Sequence, residues 1–110
     1  MHFPEVKLEI FTPFEAVDAI REALHQAGCG VLGNYDYCCS ITEVSGYWRP
    51  LKGANPYNGE VGKISEGREC KVEVNCKAEN VPVALEAIRA THPYEEPLIN
   101  IVPLLNHLYN

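Results

Sequence analysis

Polar and apolar side chains alternate along two segments of the chain. In residues 5–11, Val6, Leu8 and Ile10 share one side of an extended backbone, and Lys7 and Glu9 share the other. A period of two is typical of a strand with one buried face. Residues 69–77 repeat the pattern, with the apolar side made of Cys70, Val72, Val74 and Cys76. Two half-buried strands are therefore predicted.

Two further strands are predicted at residues 34–42 and 98–104. In the first, alternation would place one set of side chains on a common face. In the second, Pro103 indicates a sheet edge or the end of the strand. The common face of residues 34–42 would comprise Tyr35, Tyr37, Cys39 and Ile41.

Helical spacing of apolar residues predicts two helices between these strands. The first would begin after a capping box formed by Thr12 and Glu15, with Pro13 at the first helical position. The second would be capped by Asn80, and Pro93 would end it, because proline disfavours helical geometry in the preceding residue. The predicted buried residues are Phe14, Val17, Ile20, Leu24 and Ala27 in the first helix, and Val81, Ala84, Leu85 and Ile88 in the second.

The order strand, helix, strand, strand, helix, strand predicts an α+β, ferredoxin-like split βαβ fold. Four antiparallel strands would carry both helices on one face, within a single domain over residues 1–110. The other face would be polar and suited to water or to a wet subunit contact. A long connection, residues 43–66, would join the two middle strands, and its segment 45–51 would pair back onto residues 34–42. Connections of this length are usually functional or disordered.

Composition narrows the classes of function. The chain has 110 residues and a net charge of −6, with no cluster of lysine and arginine. Nucleic-acid binding is not expected, because its affinity comes mainly from basic side chains that neutralise phosphates. No membrane contact is expected either, since no apolar segment is long enough to span a bilayer. The charged, alternating N-terminal segment does not resemble a signal peptide, so a cytoplasmic location is expected.

Three motifs resemble one family when they occur together and in this order. They are "GNYDYCCS" at 33–40, "RPLKGANPYNGEVGK" at 49–63 and "ATHPYEEP" at 90–97. Over roughly residues 5–104 the chain resembles the CutA-like module inserted in the Nif-three-like family, also called GTP cyclohydrolase type-one-like. Short YqfO-family proteins consist of that module alone, and this chain is similar to them.

The resemblance implies a CutA/PII-like fold that is commonly trimeric, with a long loop that contacts ligands or partners. It also implies that the dinuclear metal site of full-length members lies in flanking domains, outside this module. Short members often have histidine where this chain has Tyr37. That difference weakens a metal site at this position.

His92, Glu95 and Glu96 are residue types that bind metals or transfer protons. Adjacent glutamates on an extended backbone point apart, however, so they do not obviously converge on one ion. The alternative is a rigid corner or subunit contact, fixed by two prolines, in which Tyr94 packs or donates a hydrogen bond.

The long connection offers a second group of candidate ligand contacts. Its glycines and backbone N–H groups could cradle an anion, with Arg49 and either Lys52 or Lys63 as charge partners. Alternatively, Trp48 and Tyr57 would fill a groove on a neighbouring subunit. The candidate ligand-binding residues are Tyr47, Arg49, Asn55, Glu60, His92, Tyr94, Glu95 and Glu96.

The five cysteines include the adjacent pair Cys38 and Cys39 and no CxxC motif. They do not indicate a disulfide framework. Adjacent strand cysteines would point to opposite faces, so Cys39, Cys70 and Cys76 are interpreted as core residues. No cofactor is predicted except a divalent metal, for which Cys38, His92 and Glu95 are candidate ligands.

These features predict a non-catalytic, cytosolic CutA/PII-like module that binds a small ligand, a metal ion or a protein at a subunit boundary. No pairing of a nucleophile with a base can be inferred from the sequence. A homo-oligomer is expected, with a trimer as the preferred state. Two alternatives stay open: a metal-dependent hydrolase related to the Nif-three-like family, and a purely assembling or regulatory partner of another protein.

Overall fold

Four antiparallel strands form one sheet in the computed structural model, which describes residues 2–109. The strands are β1 (Glu5–Thr12), β2 (Ser40–Trp48), β3 (Ser65–Lys77) and β4 (Ile99–Pro103). Their order across the sheet is β2-β3-β1-β4. The helices are α1 (Val17–Gln26) and α2 (Val81–Thr91), and 3-10 turns occupy Phe14–Ala16, Ala78–Asn80 and Asn106–Leu108. The predicted α+β, ferredoxin-like fold is confirmed.

The core lies between the two helices and one face of β1 and β3. Register places Leu8 opposite Val74 and Ile10 opposite Val72, so the apolar side chains of the two strands face the same way. Ile20 of α1 and Ile88 of α2 belong to the same buried cluster, which places both helices on that face. The alternation of residues 5–11 and 69–77 thus predicted the buried face correctly.

The opposite face of the sheet is polar, as predicted. Glu9 is the register partner of Glu73, which would place two like charges side by side. Lys7 offsets this repulsion, because its Nζ lies 3.1 Å from Glu9 and 2.9 Å from Glu73. Lys71 adds a contact of 3.3 Å to Glu73. These four side chains form a half-buried charge network on this face.

The predicted strand at residues 34–42 is wrong in position. The strand β2 begins only at Ser40 and continues to Trp48, so the segment 45–51 does not pair back onto residues 34–42. Residues 45–48 pair instead with the start of β3, where Trp48 lies opposite Ser65. Upstream, the Cys38 amide donates to the Gly30 carbonyl at 2.9 Å, and Tyr37 has a φ of 54°. Residues 34–39 are therefore a folded loop, and Tyr35, Tyr37, Cys39 and Ile41 do not share a strand face.

The predicted capping box is also wrong. Thr12 is the buried last residue of β1, and its hydroxyl donates to the Pro13 carbonyl at 3.3 Å. Glu15 accepts a hydrogen bond from the Tyr57 hydroxyl, so its carboxylate does not cap the helix. Asn80 stands at the N-cap of α2 as predicted, but its amide donates to the Gly28 carbonyl at 3.5 Å. The 3-10 turns, rather than side-chain caps, lead into both helices.

Within residues 2–109, no helix has the length and apolar character needed to cross a membrane. Beyond the core, residues 44–48 of β2 and 65–69 of β3 extend as a two-stranded arm, hereafter the arm. β2 contributes no residue to the buried cluster. The arm therefore projects past the helices and leaves a concave surface beside them.

Candidate functional site

A groove of about 700 Å³ lies between the arm, residues 49–64 (the loop) and residues 92–98 (the corner). Six aromatic side chains line its walls, and charged side chains stand among them. This combination of apolar walls and a few convergent polar groups is typical of small-molecule sites. The aromatic residues are Phe11, Phe14, Tyr47, Trp48, Tyr57 and Tyr94.

The corner is built around His92, which is 8% exposed. Its Nδ1 accepts a hydrogen bond from the Tyr94 amide at 3.1 Å. The other ring nitrogen, Nε2, therefore carries the proton and donates to the Phe11 carbonyl at 2.6 Å. Burial lowers the pKa of His92 and favours this neutral form. Both ring nitrogens are engaged, so His92 supports the corner from beneath and does not line the groove.

Two tyrosines connect the segments that surround the groove. The Tyr94 hydroxyl donates to the Glu69 carboxylate at 2.7 Å. Burial, and next this hydrogen bond, raise the pKa of Tyr94 well above its ordinary value. The Tyr57 ring lies 5.7 Å from that of Tyr94, and its hydroxyl donates to Glu15. That hydrogen bond raises the pKa of Tyr57 and lowers the pKa of Glu15. Both tyrosines stay protonated at neutral pH and act as hydrogen-bond donors.

Glu95 attaches the loop to the corner. Its two carboxylate oxygens lie 3.0 Å and 3.2 Å from the Asn55 backbone nitrogen, which donates to them. The loop and the corner thus meet within one chain, and this contact does not need a subunit boundary. Glu95 and Glu96 both line the groove, contrary to the expectation that they diverge, because the backbone bends at residues 94–96.

The other predicted contacts divide into two groups. Tyr47 and Arg49 line the groove. Asn55 takes part through its backbone, and Glu60 forms an exposed ion pair with Lys63 at 2.8 Å, outside the groove. Five of the eight candidate ligand residues therefore line one cavity: Tyr47, Arg49, Tyr94, Glu95 and Glu96.

Several residues of the groove were not among the predicted contacts. Trp48 closes one end, where its Nε1 donates to the Asn58 carbonyl at 2.9 Å and its ring lies against Gly67. Phe11 and Phe14 come from the end of β1 and the turn after it, and Glu69 comes from β3. Only the aromatic character of Trp48 gave a signal in the sequence, and that signal was interpreted as a subunit contact.

The proposed metal ligands do not converge within one chain. Cys38 lies in the loop between α1 and β2, where its backbone bonds to Gly30, and Gly30 in turn bonds to Asn75. His92 bonds to the carbonyl of Phe11 in β1. Asn75 lies opposite Lys7, which is four residues before Phe11 in the same strand. At about 3.3 Å per strand residue, these points are roughly 13 Å apart. In the part of the chain that the structure describes, no three His, Cys, Asp or Glu side chains are placed to hold a metal ion.

The fold and the groove define a CutA-like module of the ferredoxin-like class. The structure of CutA from Archaeoglobus fulgidus, described as a periplasmic divalent cation tolerance protein, superposes with a TM-score of 0.69 at 19% identity. The superposition covers 92% of this chain and 84% of the CutA chain. At this identity the likeness shows the fold alone. No family model matches the chain.

Sequence similarity is stronger to one segment of longer proteins. The GTP cyclohydrolase 1 type 2 homolog of Halalkalibacterium halodurans is 37% identical over 100 residues, 91% of this chain and 27% of that protein. The Bacillus subtilis protein of the same name is 35% identical over 92% of this chain. A Bacillus cereus protein related to NIF3 superposes with a TM-score of 0.82 at 29% identity, over 96% of this chain and 27% of that one.

The resemblance to the CutA-like module of Nif-three-like proteins is therefore confirmed. The chain spans about a quarter of the length of the curated relatives it matches.

Replacing Glu95 with alanine should loosen the loop. The Asn55 amide would lose its carboxylate acceptor, which at an exposed site stabilises by roughly 1 kcal/mol. We expect the hydrogen exchange of that amide to accelerate about fivefold, as measured by NMR. The Glu96→Ala variant is the matched control, and equal acceleration in both variants would contradict the contact.

The neutral state of His92 predicts a pH dependence of stability. Because the pKa of His92 is lower in the folded protein than in the unfolded chain, the unfolded chain binds the proton first on acidification. The contribution of His92 is fully present above about pH 6.5 and is lost as the pH falls towards its folded-state pKa. We expect wild-type protein to lose more free energy of unfolding between about pH 7.5 and pH 5.5 than His92→Gln, as measured with urea.

In that experiment the glutamine amide can still donate to the Phe11 carbonyl but does not titrate in this range. His107→Gln, in the exposed C-terminal turn, is the control and should follow the wild type. Parallel pH profiles for wild type and His92→Gln would show that His92 is not held neutral by burial.

Proposed function

We propose that the chain is a non-catalytic binding module whose ligand occupies the groove. The observation that supports this is the shape of the site: an aromatic cavity held open by the chain's own hydrogen bonds at Tyr57, Tyr94 and Glu95. The described residues that line it include no serine, cysteine, lysine or histidine, and of its four glutamates three already accept hydrogen bonds from the protein. A cytosolic setting is part of the proposal, supported by five cysteines that are all free.

The hydrogen bonds already present in the groove indicate which groups are free for a ligand. Glu15, Glu69 and Glu95 each accept a hydrogen bond from the protein. Within residues 2–109, Arg49 and Glu96 form no ion pair. The aromatic walls suit a flat apolar body, and the Arg49 guanidinium suits an anionic group on it. Four glutamates and two arginines line the groove, so a small organic ligand that places an anionic group on Arg49 and a donor group near Glu96 fits this charge pattern.

Arg49→Ala should weaken binding of an aromatic anion to the groove. Anilinonaphthalene sulfonate has this chemistry, and Trp48, the only tryptophan, lies in the groove and reports on occupancy by fluorescence. Loss of one partly exposed charge contact should weaken the dye about fivefold, or roughly 1 kcal/mol. Arg89→Ala, on the exposed surface of α2, is the matched control and should bind as wild type does.

The same sample is then analysed by native mass spectrometry, untagged and without chelator. A copurified organic mass would support the proposal and indicate the natural ligand class. Absence of both a dye-dependent change in Trp48 emission and a copurified mass would contradict a ligand groove. A stoichiometric metal that is required for a hydrolytic activity would favour the hydrolase alternative instead.

We infer further that copies of the chain assemble through β2. This strand is one of the two edges of the sheet, and it is longer than the other edge, the five-residue β4, which ends in Pro103; the outer backbone groups of β2 have no strand partner among the described residues. Exposed edges of this kind pair readily with other strands. Large apolar side chains near it are also open to solvent, including Ile41 at 45% and Ile64 at 74% exposed. The resemblance to CutA/PII proteins supports a trimer as the specific state.

A lysine on the exposed edge should disrupt this assembly. We expect wild-type protein to sediment as an oligomer and Ile41→Lys to shift towards the monomer, because an edge lysine opposes strand pairing. Leu108→Lys changes a more exposed apolar residue in the C-terminal turn and should leave the oligomer intact. A monomeric wild type at all practical concentrations would overturn the inference.

A further inference from the structure

Two thiols are buried in contact with each other at the end of the core. Cys29 is 1% exposed and Cys76 is 2% exposed, and their Sγ atoms lie 3.0 Å apart. That separation is about 1 Å longer than a disulfide bond. Both cysteines are free in the structure. A small rotation of either side chain is therefore enough to bring the sulfurs to bonding distance.

The backbone on each side of this pair is fixed by hydrogen bonds. The Cys29 amide donates to the Leu24 carbonyl at 3.0 Å, and the Gly30 amide donates to the Asn75 carbonyl at 2.9 Å. Residue 30 must be glycine here, since its φ is +78° and a Cβ would lie 2.7 Å from the Cys38 carbonyl. The segment after α1 is thus anchored to β3 next to Cys76. The contact between the sulfurs follows from backbone placement and does not depend on one flexible side chain.

Each thiol of the pair has a hydrogen-bond acceptor. The Cys29 thiol donates to the Cys76 sulfur, and the Cys76 thiol donates to the Lys77 carbonyl at 3.2 Å. The hydrogen bond to Cys76, and next burial, raise the pKa of Cys29. Either cysteine can supply the thiolate, the reactive form in thiol–disulfide exchange, once the segment opens.

We propose that Cys29 and Cys76 form a redox-active dithiol that a low-molecular-weight disulfide, such as oxidised glutathione, converts to an intramolecular disulfide. The proposal concerns a different part of the molecule from the groove and does not depend on the proposed function. Because both sulfurs are buried, the loop after α1 must open before an oxidant can reach them.

The exchange balances in two steps. The thiolate of one cysteine, for example Cys76, attacks one sulfur of the oxidant, a mixed disulfide forms, and the first small thiolate leaves and takes up the proton lost by that cysteine. Cys29, deprotonated, then attacks the Cys76 sulfur and forms the protein disulfide. The second small thiolate leaves and takes up the proton lost by Cys29. Two protein thiols are oxidised and one small disulfide is reduced to two thiols.

The bond would join positions 47 residues apart in the chain. Closing a loop of that length restricts the unfolded chain and stabilises the fold, provided that the native geometry accepts the bond without strain. Because the two backbones already lie side by side, little strain is expected. Oxidation would therefore fasten the end of α1 to β3.

The test uses refolding, which removes the problem of access to buried sulfurs. Reduced, unfolded full-length protein is refolded in buffers of reduced and oxidised glutathione, and the remaining thiols are alkylated in denaturant, which exposes the buried Cys70, and counted by mass spectrometry. We expect two of the five cysteines to resist alkylation, with Cys29 and Cys76 in one cross-linked peptide. The unfolding temperature should rise by roughly 10 °C or more over that of the reduced form.

Variants separate this pair from the other thiols. Cys29→Ser and Cys76→Ser should lose both the protected pair and the rise in unfolding temperature, whereas Cys38→Ser should keep both. Alkylation of all five cysteines under oxidising conditions, or a cross-link between any other two, would overturn the proposal. The peptide map of the wild-type protein decides the question even where a serine variant does not fold.

Discussion

The difference in length between two paired strands determines most of what is distinctive in this molecule. β1 has 8 residues, whereas its partner β3 has 13. Register pairs all of β1 with residues 70–77, so the first part of β3 has only β2 beside it. That part cannot be covered by the helices, which pack on the face that β1 and β3 share. The overhang is the arm, and the groove is the space between the arm and the body.

A cavity beside a projecting arm stays open only if something holds its far side. The corner holds the far side of the groove through hydrogen bonds between polar groups. Without partners, each of these polar groups would be unfavourable by roughly 1–3 kcal/mol when buried. His92 satisfies the Phe11 carbonyl and the Tyr94 amide, and Tyr94 in turn reaches Glu69 on the arm. The corner, residues 92–98, therefore contains both a structural residue and a residue that lines the groove. His92 is structural, while Glu96, two residues after Tyr94, faces the groove.

The sequence predicted the elements of the fold that have one buried face and one face open to solvent. β1, the second half of β3 and both helices have this asymmetry, and their apolar periods were read correctly except at Phe14, which was predicted to be buried in the first helix but lies in the 3-10 turn before it and is 45% exposed. The start of β2 was misplaced because residues 34–39 show the same alternation of letters, although Gly30 and a left-handed Tyr37 fold them into a loop. The arm is half-buried on one face only, and that face includes glycine, serine and glutamate, so it shows no apolar alternation in the sequence. Hydrogen bonds that cross the chain, such as Asn80 to Gly28, replaced the local caps that the sequence suggested.

The residues of the groove also fall into those that the sequence could group together and those that it could not. Residues adjacent in sequence, such as Tyr94, Glu95 and Glu96, could be proposed together because one motif contains them. Phe11 and Glu69 could not, since only the pairing of strands brings them to the same cavity. The register also separates this cavity from the dithiol. Cys76 lies opposite Val6, five residues along β1 from Phe11, or roughly 17 Å at the rise of a strand. Oxidation at one end of the sheet therefore has no direct contact with the groove at the other, and an effect on ligand binding would have to pass through the rigid pairing of β1 with β3.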